Sequence, residues 1–367
     1  MKKVSLTQRR QERKEDGKDI LMFSKLVGNE QVKHTLRRLI ALGRVPNSLL
    51  FAGDEGVGKR QFAIELARAF ICTVPTAGEA CGICAACSRV DTFVIPDPTD
   101  KNKDEFKKVF FGKHSDVGKV VTYKRTILVD AIRDLEKSAN FRPFEASARF
   151  FIIDDADKMN DESSNALLKT LEEPPSTTHI FLITSRPDSL LPTIRSRCQT
   201  LRFAPVAADE IERFLIDDRA FTHDEARLAA RLARGSIGRA VSINVVQFRE
   251  RRMRMLGVIR NAVETGDRAA LLRASEEMND AKNKDNFEEN LDILEPLIHD
   301  VWTLRVSGDG SRLVNTDLSS ELATLAENAS IADLPAWLRE IETMRENFAV
   351  NINRKVATDA LFVAMAS

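Results

Sequence analysis

Residues 49–62 read LLFAGDEGVGKRQF, and the division of the whole chain follows from them. Leu49 to Ala52 is a short apolar run closed by Gly53, while KRQFAIELARAFIC, starting at Lys59, carries apolar residues at helical spacing. A glycine-rich loop therefore joins a strand to a helix N-terminus. Gly53, Gly58 and Lys59, with Gly56 between them, match the phosphate-loop pattern G-x-x-x-x-G-K-[ST]. In that pattern backbone N–H groups cradle phosphates, the lysine reaches the outer ones and the following hydroxyl holds magnesium. Arg60 stands where the hydroxyl belongs. The stretch thus predicts a nucleotide-type crevice whose metal ligand is missing.

Acidic residues come next. RFFIIDDADKMN, residues 149–160, reads as a fully buried central strand ending in carboxylates, which in a parallel α/β sheet face the ligand crevice. Asp154 is the candidate magnesium partner. Asp155 occupies the place of a water-activating carboxylate; a glutamate there would reach one methylene further, and a base must come within about 3 Å of its proton. A second buried strand, Ile180 to Ile183, ends at Thr184, whose hydroxyl is placed to sense a terminal phosphate. Beyond it, Arg195, Ser196, Arg197 and Cys198 follow a short segment, and an arginine presented rigidly can act in trans on a neighbour's phosphate.

Four of the five cysteines, Cys72, Cys81, Cys84 and Cys87, form a C-x8-C-x2-C-x2-C array. In a reducing compartment this favours a four-thiolate structural zinc site over disulfides, and it closes the site to water. The knuckle over 72–87 is expected to be clipped to the helix that follows the phosphate loop. The chain of 367 residues has 55 basic and 55 acidic residues and no net formal charge, so no global field advertises nucleic acid. No apolar run reaches the roughly 20 residues of a membrane span, and the opening MKKVSLTQRRQERKEDGKDI has no signal-peptide core. A cytoplasmic protein with no membrane contact is expected, with residues 1–20 a flexible charged tail.

The chain resembles the subunits of the bacterial DNA polymerase III clamp loader, a branch of the AAA+ ATPases. The residues that carry the resemblance are LVGNEQV, LLFAGDEGVGK, the four-cysteine array, IRDLEKSANFRPFE, FIIDDADKM and, most specifically, NALLKTLEEPP followed by SRC. Motor subunits of the family resemble GKT or GKS, an Asp-Glu pair and GS-x-R in the lid. Here Lys59-Arg60, Asp154-Asp155 and GSIGRA over 235–240 depart from all three, with Gly238 at the sensor position and Arg239 one residue late. One residue turns a helical side chain by about 100°.

Together these departures resemble the delta-prime branch. The resemblance implies an α/β AAA+ P-loop domain with a parallel sheet over 21–204, a helical lid over 205–243 and an all-α collar over 246–367 that serves oligomerisation. It implies a DNA replication role: completing a five-membered ring that opens and loads the sliding clamp on primed DNA beside gamma/tau and delta subunits. Within it Arg197 would be the trans-acting arginine, with weak or no hydrolysis in the chain's own ATP/Mg2+ pocket. Two alternatives are a competent gamma/tau-type ATPase and an unrelated zinc-stabilised nucleic-acid module. The lysine-rich segment over 91–119 is expected to be a solvated loop.

Overall fold

The computed structural model describes residues 23–280, 287–348 and 353–366; the expected tail over 1–20 lies outside the described residues. Two compact units divide at Val241 and Ser242.

The first unit is built on a six-stranded sheet in the order β2-β3-β4-β5-β1-β6. Its strands are β1 (Ser48–Ala52), β2 (Phe110–Phe111), β3 (Val117–Val120), β4 (Arg149–Ile153), β5 (Thr178–Thr184) and β6 (Gln199–Arg202). All pairings are parallel except β2 with β3. The central strands are apolar throughout because both faces are covered, as parallel sheets require. Leu49, Phe51, Phe150, Ile152, Phe181 and Ile183 face α1 (Glu30–Ala41) and α2 (Lys59–Ile71). Their neighbours Leu50, Phe151, Ile153, Ile180 and Leu182 face α3 (Val129–Ala139), α4 (Asp161–Glu172) and α5 (Pro192–Arg197). Strand alternation thus builds three layers with two cores. A mostly parallel α/β sheet covered on both faces, with the glycine-rich loop after β1, agrees with the expected fold class.

The segment over 91–119 differs from the expected loop in its second half. Phe110–Phe111 pairs antiparallel with Val117–Val120, which pairs parallel with β4, and Phe106 is buried beneath Phe110 and Tyr123. The aromatic residues among the lysines draw this stretch onto the sheet edge, a signal that its charge pattern obscured.

Three helices close the unit: α6 (Ala208–Arg219), α7 (His223–Leu232) and α8 (Ile237–Ser242). Thr222 and Glu225 form a reciprocal capping box at the start of α7, and the break before α8 is Gly235, at φ +85°.

The second unit is helical among its described residues. It comprises α9 (Val245–Arg260) running into a π turn (Asn261–Thr265), α10 (Arg268–Asn279), α11 (Phe287–Ser307), α12 (Ser319–Asn328), α13 (Asp333–Phe348) and α14 (Arg354–Met365). Phe287, Leu291, Leu294, Leu297, Ile298, Leu322, Ile341, Leu361 and Phe362 supply its apolar core. No described helix in either unit is long and apolar enough to cross a membrane.

Candidate functional site: a nucleotide crevice, a cysteine cluster and an arginine edge

The crevice lies at the C-terminal ends of β1, β4 and β5, where Gly53, Asp154 and Thr184 emerge. The phosphate loop leads into α2, with Gly58 as its N-cap at φ +99°, so free N–H groups point outward as an anion cradle requires. Lys59, however, is buried and turned onto its own loop: Nζ donates to the carbonyls of Gly53 at 2.6 Å and Asp54 at 2.5 Å. Burial lowers its pKa against the opposing pull of Asp54, Glu55, Asp154 and Asp155.

Asp154 is buried and answered twice. Arg60 Nη2 lies 2.5 Å and Lys119 Nζ 3.2 Å from its Oδ2. Lys119 projects from β3, beside β4, and burial depresses its pKa although Asp154 holds the charge in place. Two protein cations therefore converge on the carboxylate that would partner magnesium, and the hydroxyl that would coordinate the metal is an arginine. The residues present do not fit a magnesium site.

Asp155 adopts a left-handed backbone, φ +51°, and pairs with Lys158 at 2.9 Å across its own short turn. Thr184 is buried; its hydroxyl donates to Asp157 Oδ1 at 2.8 Å and accepts the N–H of Arg186 at 2.9 Å. Arg186 Nε and Nη2 close the cluster on Asp157 Oδ2. The hydroxyl proton is thus already committed within the protein.

The lid reaches this crevice. Gly238 N–H donates to the carbonyl of Gly56 at 2.9 Å. Gly56 sits at φ +76°, and a β-carbon there would fall 2.1 Å from Ser236 Oγ. Gly238 is less confined, a β-carbon on it making a tight contact with Gly56 Cα at 3.3 Å. Glycine at the sensor position thus does more than delete an arginine: it permits backbone contact between lid and phosphate loop. Arg239 is exposed.

The cysteines converge as their spacing suggested. The sulfurs of Cys72, Cys81, Cys84 and Cys87 all lie within 4.8 Å of one another, compatible with a tetrahedral ion whose Zn–S bonds are about 2.3 Å. Cys72 caps the C-terminus of α2, so the knuckle is joined to the phosphate-loop helix. The N–H groups of Cys81, Cys84 and Cys87 donate to the sulfurs of Cys72, Cys81 and Cys84 respectively. Burial raises the Cys84 pKa, but hydrogen bonds, led by the Cys87 N–H, outweigh it and bring the thiol down to about 5, while burial pushes the Cys72 and Cys87 thiols up.

Arg197 lies at the end of α5, which Ile194 and Cys198 anchor in the core. Its Nη1 donates to Thr193 O at 3.0 Å and its Nη2 to Glu172 Oε1 at 2.6 Å. The side chain remains one-third exposed. Cys198 is inert by comparison, burial raising its thiol to about 12. Sequence reasoning singled out Arg60, Asp154 and Arg197 but missed their partners Lys119 and Glu172, and it missed Asp157. A lysine within the strand sequence VGKV was the available signal for the first.

A family profile described as DNA polymerase III, delta subunit, matches residues 28–207. The DNA polymerase III subunit delta' of Escherichia coli K12 is 28% identical over 342 residues, covering 92% of each chain. Subunit tau of the same organism is 30% identical, but over 60% of this chain and 32% of its own length. Among solved structures, a gamma-subunit-related protein of Thermotoga maritima aligns with 92% of this chain at 18% identity and a TM-score of 0.41. The chain is thus similar to DNA polymerase III subunit delta' over most of its length, and the profile match lies within its first unit.

Proposed function

We propose that this protein is a delta-prime-type subunit of the replicative clamp loader. It completes a five-membered ring with gamma/tau and delta subunits in the cytoplasm, and the ring opens the sliding clamp and places it on primed DNA. Its own pocket hydrolyses little or no ATP. Instead, Arg197 enters the ATP site of a neighbouring subunit and stabilises the charge developing on the γ-phosphate, while a structural zinc on the four cysteines holds the knuckle. The observation that carries this reading is the contrast between the acids that two arginines meet: Asp154, which Arg60 contacts, is buried and also held by Lys119, whereas Arg197, one-third exposed, is clamped at a surface edge by the half-exposed Glu172. An accessible, rigidly held guanidinium is what trans stabilisation of a phosphoryl transition state needs.

Rebuilding the loader with purified partner subunits, clamp and primed DNA tests the reading. Arg197→Ala should leave zinc content, folding and assembly intact yet slow DNA-stimulated hydrolysis by about tenfold or more. Lys59→Ala should change it much less. The reverse order of effects would refute the assignment.

A further inference from the structure

Arg195 and Arg197 leave the same short helix two residues apart and are held differently. Arg195 Nη1 pairs at 2.6 Å with Asp188, which lies in the same connection and whose side chain is 92% exposed. Arg197 is held from two elements: by Thr193 O within α5, and by Glu172 at the last position of α4. Glu172 is firmly placed, because α4 is packed into the core through Leu167 and Leu171 and is followed by Pro174 and Pro175. Its location is electrostatically unfavourable in isolation, since a carboxylate at a helix C-terminus meets the negative end of the dipole. Arg197, at the C-terminus of α5, lies at an end that favours a cation. Pairing the two relieves the first position and fixes the second.

The hydrogen-bond count gives the pair a use. A guanidinium carries five N–H donors in one plane. One on Nη1 and one on Nη2 are taken by Thr193 and Glu172. Three remain, among them Nε–H. Two anchors from two elements define the orientation of the plane, so these free donors form a preset edge for an anionic oxygen.

We propose that Glu172 is the positioning residue for Arg197, fixing its guanidinium to meet the terminal phosphate of a nucleoside triphosphate bound by a neighbouring subunit. The inference rests on the trans role of Arg197 given above. Glu172 touches no substrate; it acts through the arginine, and its own charge matters less than its acceptor oxygen. Glutamine keeps that oxygen and alanine removes it.

The experiment uses the reconstituted loader, with DNA-stimulated hydrolysis measured across ATP concentration for Glu172→Ala, Glu172→Gln, Arg197→Ala and the Glu172→Ala/Arg197→Ala double variant. Glu172→Ala should lower kcat about three- to tenfold with KM for ATP nearly unchanged, the signature of an interaction made in the transition state. Glu172→Gln should recover to within about twofold of the parent, and Glu172→Ala should add nothing once Arg197 is gone. A loss of equal size in the Arg197→Ala background would show a general structural effect and overturn the proposal. So would an increase in rate, or no change while Arg197→Ala is slow. If Arg197→Ala itself leaves hydrolysis unchanged, the trans role fails and this inference fails with it.

Discussion

The phosphate-loop crevice and the α5 edge of this protein each pair an arginine with an acid, and they set the pair in opposite surroundings. In the crevice Asp154 is 6% exposed, Lys119 is buried beside it, and Arg60 leans in from the loop. At the edge, Arg197 and Glu172 keep 34% and 49% of their side-chain surface. A buried carboxylate with two cations is a closed electrostatic unit: removing either sign leaves an uncompensated charge in low dielectric. An exposed pair contributes little to stability, about 0.2–1 kcal/mol, so the fold depends little on this one. The same residue types therefore build a charge cluster around a buried acid in one place and an exposed, fixed pair in the other.

Four changes would break or sharpen that contrast, the largest first. Cys84→Ser removes one thiolate from the cluster that ends the crevice helix α2. We expect loss of bound zinc by metal analysis and the greatest fall in unfolding free energy of the series, because metal binding is coupled to folding. The remainder of the fold should stay assembled.

Asp154→Ala should cost about 2–4 kcal/mol in denaturant unfolding, since Lys119 and Arg60 lose their shared anion. It should barely alter hydrolysis by the reconstituted loader. A catalytic Asp154 would show the reverse pattern.

Gly56→Ala should destabilise the first unit by about 1–3 kcal/mol, from a left-handed backbone and the clash with Ser236. The loss should show as faster hydrogen exchange at the Gly238 amide, which would no longer be held on the phosphate loop.

The smallest effect concerns Glu65 on α2. Burial raises its carboxyl from about 4.5 to about 8, against the opposing Arg68 at 2.7 Å. An acid raised in the folded state is fully accommodated below pH 4.5 and costs stability progressively as pH rises towards 8, because the unfolded chain releases its proton first. Relative to the parent, Glu65→Gln should therefore gain stability steadily as pH rises from about 5 to about 8. A gain that shrinks across this interval would contradict the assignment.

Several elements are legible in the amino-acid sequence itself. LLFAG and FFII are apolar without alternation, which marks strands covered on both faces, and KRQFAIELARAF shows the 3.6-residue stripe of α2. The cysteine spacing announced a cluster, and the departures at Arg60, Asp155 and Gly238 pointed to a silent pocket. The edge strand β2 and its neighbour β3 were harder to read. Two- and four-residue strands carry too short a pattern, and their lysines resemble a solvated face.

The sequence by itself determined what is local: the strand–loop–helix order around Gly53, the thiols available for a metal, the missing hydroxyl at Arg60 and the arginine in SRC. These depend on residues within a few turns of one another. Tertiary structure alone decided the partners. Lys119 reaches Asp154 because β3 lies beside β4 in the sheet, Glu172 reaches Arg197 because α4 packs against α5, and Gly238 meets Gly56 because the lid folds back over the loop. Pairing between distant segments depends on strand order and helix packing, which side-chain periodicity does not encode; whether an arginine closes its own pocket or serves an edge is settled there.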